Sequence, residues 1–509
     1  MKIFTVQQLA EADKVTIEKQ GITSEELMER AAGLVFKEIH ARLNNESVPI
    51  KIICGIGNNG GDGLVVGRLL IEHGYYVSIY VVNFTKERSR DFLSNYNKIK
   101  EIGAPWPTLL KGAEDFPELH PKDFVIDAIF GIGLNRPPEG WVADLIHYIN
   151  ASGAFILSID MPSGLFSTKT PEPGDAVIKA NYTLTFQAPK LVYYLPKTAE
   201  FVGNYQVLNI GLDYEYLAAA PAEAQLIDKE EAKNLYIPRK NFSHKGDYGH
   251  SMIIGGSYGK IGSISLSAKA ALRTGAGLVT IYSPECGYEI LQSILPEAMV
   301  IIDEGEKELK NIQFEPEPDV ICFGMGAGIS AATVKTFESL LKKTKSPMVI
   351  DADGLNMLSN NKGFLKLIPK NSVLTPHPKE LERLLGEWKD DFDKLAKAKE
   401  FTNKYEVILV IKDAHSITVS GDNLYINNTG NPGMATAGAG DVLAGVITSL
   451  ISQKYEPLIA AVFATYLHGK AGDIAASKLS YQGMIAGDIV DNIGAAFLDL
   501  FKNDDRGME

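Results

Sequence analysis

Residues 427–441 are built mostly from glycine, alanine, asparagine and threonine, and they end in Gly438-Ala439-Gly440-Asp441. An apolar, helix-like run over 442–451 follows at once. Small residues let a backbone come close to a ligand. A helix that begins at such a loop aims free N–H groups and the positive end of its dipole at that ligand. The stretch reads as a cradle for a phosphate group or a developing oxyanion, with Gly438 and Gly440 in it and Asp441 at its mouth. A carboxylate there can simply cap the helix. A cap needs one Asp and no long apron of small residues, which favours a general base beside an anion hole, the arrangement of a phosphoryl-transfer site.

Other chemistry-bearing residues fall at the ends of strand-like runs. In the first half, the run 49–54 leads into a loop at 55–63 rich in glycine and asparagine. Asp127 precedes a loop at 130–137, and Asp160 precedes Met161-Pro162-Ser163-Gly164. Each acid alone reads equally as a turn or helix cap. Three such loops on one edge of a parallel sheet make one site, because ligands gather at the carboxyl ends of its strands. The glycine spacing at 55–63 is not the dinucleotide GxGxxG, so a plain dehydrogenase is disfavoured. In the second half, four loops stand out: residues 323–328, Asp351-Ala352-Asp353-Gly354, His377 between Pro376 and Pro378, and residues 412–416. A lone histidine usually belongs to the surface or core, but flanking prolines fix this one in a rigid turn, which favours a site role. Lys412 by itself reads equally as a solvated lysine.

The elements that must position these residues form two alternating patterns. Strand-like runs at 49–54, 76–82, 124–129 and 155–159 alternate with helix-like segments, predicting a Rossmann-like parallel sheet. Thr5 with Gln8, and Thr23 with Glu26, predict capping boxes that open two helices. Residues 213–224, alanine-rich with little periodicity, predict a linker between domains at 1–215 and 226–509. Runs at 252–254, 278–282, 320–323, 348–350, 407–411 and 416–419, with helices at 332–342, 391–404 and 458–478, predict a second parallel α/β sheet.

At 509 residues the chain suits two or three domains. A net charge of −13 disfavours nucleic acid as a partner. Three cysteines without CxxC spacing read as reduced thiols. The N-terminus lacks a signal-peptide core and no run suits a membrane span, so a cytoplasmic enzyme without membrane partners is expected.

Two resemblances sharpen the reading. Gly438-Ala439-Gly440-Asp441 resembles the signature of the ribokinase-like superfamily. Gly430-Asn431-Pro432-Gly433-Met434-Ala435-Thr436 is narrower and is similar to the ADP- or ATP-dependent NAD(P)H-hydrate dehydratases of that superfamily; the likeness spans about residues 226–498. In the first half, residues 58–63, 127–131 and 160–164 and Thr185-Phe186-Gln187-Ala188-Pro189-Lys190 resemble the NAD(P)H-hydrate epimerase family over most of residues 1–212. Departures from the family patterns are Met161 for valine, Met325 for proline, Asp413 for glycine and Ser263 for alanine.

The resemblance implies a bifunctional isomerase and lyase for nicotinamide cofactor repair. One domain would epimerise the R and S forms of NADH or NADPH hydrate. The other would dehydrate the S form by phosphorylating its C6 hydroxyl from ADP or ATP and eliminating phosphate. It implies catalytic roles for Asp441, Asp160 and Lys190. Epimerase substrate contacts would come from Asn58, Asn59, Gly60, Gly61, Asp62, Gly131, Ile132, Gly133, Leu134, Asn135, Arg136, Pro137 and Asp160. Dehydratase substrate contacts would come from Ser263, Gly326, His377 and Asp441. Nucleotide contacts would come from Lys412, Asp413, Ala414, His415, Ser416, Gly438 and Gly440. A potassium ion is expected at Asn59, Asp127 and Ser163, and Mg²⁺ with the nucleotide. A homo-oligomer is expected. Two alternatives stay open: a small-molecule kinase for a vitamin or sugar, and a first domain that is only a binding module.

Overall fold

The computed structural model describes residues 1–44, 47–103 and 106–502. Its contacts separate two units. One holds Lys2–Glu223 with Asp390–Phe392, and the other holds Met1, Ala224–Lys389 and the chain from Asp393 onward.

In the first unit the sheet runs Thr108–Leu110, Val77–Val82, Ile50–Cys54, Phe124–Ala128, Phe155–Ile159, Tyr182–Phe186, Asn204–Leu208, with every neighbouring pair parallel. Ile50, Ile52, Ile53 and Cys54 are all buried, which is why this strand reads as a continuous apolar run. The chain order reverses between Ile50–Cys54 and Phe124–Ala128, which makes a topological switch point at their carboxyl ends. Register sets Ile53 beside Asp127 and Asp127 beside Ser158, so the three expected strand-end loops share one edge. Both predicted capping boxes form, with Thr5 and Gln8 opening Val6–Gln20 and Thr23 and Glu26 opening Ser24–Leu43. Three strands of this sheet lie outside the sequence expectation: Thr108–Leu110, Tyr182–Phe186 and Asn204–Leu208. In Tyr182–Phe186 the buried side includes Thr183 and Thr185, whose hydroxyls resemble a solvent face; Thr183 Oγ1 instead donates to Val202 O at 2.8 Å.

The expected linker is not structureless. Tyr214–Ala219 is a helix capped by Asp213, and Ala224–Ile227 is a strand. Both are too short for periodicity to show.

Across the second unit the strands run Ala224–Ile227, Asn423–Asn427, Ile417–Ser420, Ile408–Ile411, Val373–Leu374, Met348–Ile350, Val320–Phe323, His250–Ile254, Leu278–Ser283, Met299–Ile302. This sheet is mixed, not wholly parallel as expected. Ile408–Ile411, Ile417–Ser420 and Asn423–Asn427 form an antiparallel meander, because the turns between them are too short for a crossover. The helix Ala439–Ser452 is buried almost all round and packs on Ile261–Thr274, as an apolar core helix does. Among the described residues no helix is long and apolar enough to cross a membrane.

Candidate active sites

In the first unit, Asp160 follows the strand Phe155–Ile159 with a left-handed φ of 64°. A non-glycine residue there is uncommon, and such strain clusters at functional sites. Its carboxylate Oδ1 accepts from Lys190 Nζ at 2.6 Å, and both side chains are buried. Backbone N–H groups of Ile132 (3.3 Å) and Phe186 (3.4 Å) also donate to the carboxylate, and Tyr193 Oη donates to the Asp160 carbonyl at 2.5 Å. Lys190 Nζ further donates to Thr185 Oγ1 and to Phe186 O.

The glycine loop forms the first turn of a helix, Asn58–Glu72. Asn58 is exposed and Asn59 half-buried, whereas Gly60, Gly61 and Asp62 are buried. A Cβ on Gly60 would lie 2.0 Å from Gly55 O, so this glycine lets the helix start approach the preceding loop. Burial foremost, then Asp160 and Asp13, raises Asp62 well above the usual carboxylate range. Gly131 lies against the Asn59 side chain, within 3.2 Å of where a Cβ would sit, and Ile132 and Leu134 are partly exposed. Gly133, Asn135, Arg136 and Pro137 are exposed.

Asp127 is a brace. Its Oδ1 accepts from Ser163 Oγ at 2.5 Å and Ile129 N at 3.3 Å, and its Oδ2 from Ser158 Oγ at 2.8 Å and Ser163 N at 2.9 Å. Burial still raises its proton affinity against those four bonds. Asn59 Nδ2 is buried without a partner. Amide orientation is a matter of assignment, and the flipped amide would turn an oxygen to that place. Asp127, buried and without an ion pair among the described residues, and the Asn59 amide supply oxygens of the kind a monovalent cation takes.

In the second unit, Asp441 is not the helix cap. The N-cap of Ala439–Ser452 is Gly438, at φ 91° and with no side-chain cap bond, and Asp441 sits in the first turn. Its proton affinity is raised to about 7, by burial first and then by Asp351 and Asp353, against the hydrogen bond from Ser263 and the charge of Lys412. The preceding apron is braced by Asp473, which accepts from Gly430 N at 3.1 Å and Asn431 Nδ2 at 2.9 Å. Gly326 lies beside Ser263 and Lys260, at φ 61°. Lys412 Nζ reaches Asp351 at 2.8 Å. Asp413 and Ala414 are exposed; Ser416 is half-buried, as is His415, whose Nδ1 lies 3.2 Å from Asn427 O.

His377 caps the helix Pro378–Leu385. Its Nδ1 accepts from Lys379 N at 3.1 Å and Glu380 N at 3.4 Å. Burial, then Lys412, lowers its proton affinity, so the ring stays neutral with Nε2 on its half-exposed edge.

Two acids lay outside the candidate residues. Asp13, on Val6–Gln20, is raised to about 6 by burial and Asp160, with Lys190 opposing. Nothing in the sequence near Asp13 marks it. Asp351 had been noted only as part of a loop, since its partner Lys412 is distant in sequence.

A family model described as NAD(P)H-hydrate dehydratase matches residues 251–494, and one described as YjeF-related protein N-terminus matches residues 24–192. The bifunctional NAD(P)H-hydrate repair enzyme of Moorella thermoacetica is 35% identical over 508 residues, covering 96% of each chain. The enzyme of the same description from Coxiella burnetii is 33% identical over 490 residues, covering 96% of this chain and 97% of its own. Among solved structures, a ribokinase-like superfamily protein from Enterococcus faecalis is 25% identical with a TM-score of 0.48, covering 55% of this chain and 96% of its own. With both site-bearing units matched in one relative along nearly its whole length, the chain belongs to the bifunctional NAD(P)H-hydrate repair enzyme family.

Proposed function

We propose that the first unit interconverts the C6 epimers of hydrated NADH and NADPH, and that the second returns the S epimer to the reduced cofactor at the expense of ADP or ATP. The observation that carries this is the pair of differently held carboxylates, Asp160 after the strand Phe155–Ile159 and bonded to Lys190, and Asp441 in the first turn of Ala439–Ser452 with its proton affinity near neutrality.

In the second unit Asp441 takes the proton of the C6 hydroxyl as that oxygen attacks the terminal phosphoryl group. A base with proton affinity near working pH suits this task. The N–H groups at the start of Ala439–Ser452, behind Gly438 and Gly440, steady the transferring charge. The phosphate so formed on C6 is a far better leaving group than hydroxide, and its elimination restores the ring. Mg²⁺ would enter with the nucleotide phosphates as part of that substrate. In the first unit Asp160 exchanges a proton with the substrate while Lys190 holds the charge of its ionised form. Asn59, Asp127 and Ser163 would hold potassium, which supplies positive charge beside the substrate.

The test is direct. NADPH hydrate mixed with the protein and ADP, or ATP, should regain NADPH absorbance, and without nucleotide it should not. Accumulation of a stable phosphorylated product without cofactor recovery would favour the small-molecule kinase instead.

A further inference from the structure

Lys412 belongs to the proposed nucleotide loop, yet its charge is already engaged. Its Nζ lies 2.8 and 3.2 Å from the two carboxylate oxygens of Asp351. The Asp351 side chain is 3% exposed and that of Lys412 is 21% exposed, so the pair sits at the edge of the site with the lysine outermost.

The local backbone is built to keep Asp351 there. Ala352 N donates to Asp351 Oδ1 at 2.8 Å, from a residue held at φ 49°. Gly324, at φ 121°, allows its loop to touch this turn: a Cβ there would come within 2.1 Å of Asp351 O. Gly328 N donates to Asp353 Oδ2 at 2.9 Å, tying the same two loops together. On the other side is Gly440, where a Cβ would lie 3.1 Å from Lys412 Nζ and 3.3 Å from Asp351 Oδ2. The ion pair is therefore pressed against the helix turn that carries Asp441. Among the described residues Asp441 itself forms no ion pair.

Resting on the reading of Asp441 as the general base, we propose that Asp351 is a positioning residue for dehydration. It clamps Lys412 against Gly440, so the ammonium faces a phosphate laid in the cradle and does not neutralise Asp441. Without the clamp Lys412 is free to swing onto Asp441, and the base would be tied up as Asp160 is by Lys190. The charged and titratable groups facing this cluster are Asp351, Asp353, Lys412 and the buried Cys322 around Asp441, and His377, Glu380 and His468 around Lys412.

The test is the pH profile of kcat/KM for dehydration of NADPH hydrate with ADP, measured on the full chain. In Asp351→Asn the acid limb should move down by about 1–3 pH units, through loss of the Asp351 charge together with the ammonium newly beside Asp441, and adding Lys412→Met should return most of that shift. KM for ADP should rise several-fold, and Asp351→Glu should restore part of both. In Lys412→Met the limb should move the other way, to higher pH. A uniform loss of rate in Asp351→Asn with an unmoved limb would overturn the proposal. Should Asp351→Asn fail to fold, an unmoved limb in Lys412→Met would overturn it equally. Near-wild-type dehydration by Asp441→Asn would instead remove the underlying assignment of the base.

Discussion

The two units place a carboxylate beside a glycine-rich helix start and then treat it in opposite ways. Asp160 is locked to a buried lysine at 2.6 Å, with Lys190 bonded on to Thr185 and the Phe186 carbonyl. Asp441 is half-buried and bonded to Ser263, and the lysine of its site is held by Asp351. Epimerisation must take and return a proton, and a paired ammonium keeps the ionised acid stable through both steps. Phosphoryl transfer to a hydroxyl requires only that the hydroxyl proton be taken. An unpaired carboxylate with raised affinity holds it better. In the proposed reading, the same loop-and-helix device serves two chemistries through the placing of one cation.

The contrast breaks most visibly at Asp441. Asp441→Asn should cut nucleotide-dependent dehydration by about 10²–10⁴, the usual worth of a general base, while epimerisation of the hydrate by the same protein continues. Recovery of NADPH absorbance measures the first, and chromatographic separation of the epimers the second. Loss of both activities together would mean that the sites are not independent.

Lys190→Met probes the paired site. Leaving the buried Asp160 without its cation should cost about 3–5 kcal/mol in the first unit and abolish epimerisation. Adding Asp160→Asn should recover part of the stability and none of the activity. Chemical denaturation followed by tyrosine fluorescence reads the stability. A single Lys190→Met variant as stable as wild type would mean that the pair is solvated.

Much of this was legible beforehand where the signal is local. The apolar runs ending at Cys54 and Ile159 are buried on both faces, and the capping residues Thr5 and Thr23 stand three positions before their partners. The strand carrying Thr183 and Thr185 was hidden, because its hydroxyls find partners inside the fold. The mixed character of the second sheet was hidden in the length of two turns. At the sites, the strand-end acids were readable and their partners were not. Asp351 and Lys412, or Asp13 and Asp160, meet only after the chain has folded. The packing of Gly60 and Gly61 was not readable either: a Cβ on them would meet Gly55 and Met28, residues that come near only in the fold.

A smaller effect sharpens the electrostatic half of the comparison. Burial raises the proton affinity of Asp441 to about 7 in the folded protein, well above the ordinary carboxylate value of the unfolded chain. Between those values the folded state holds a proton that the unfolded chain has lost, so this group's contribution to stability falls as pH rises through that window. Asp441→Asn removes the penalty. Its melting temperature relative to wild type should be higher at pH 8 than at pH 5; an equal difference at both would mean that Asp441 titrates normally.

The most direct test of two independent carboxylate sites joined only by their substrate is a time course. Hydrate present as both epimers is given to wild type and to Asp160→Asn with ADP. Wild type should consume everything in one smooth phase. The variant should consume the S epimer at the normal rate, then slow to the pace of spontaneous epimerisation. A single complete phase from the variant would contradict the role of Asp160, and the same result from residues 226–509 alone would contradict the epimerase itself.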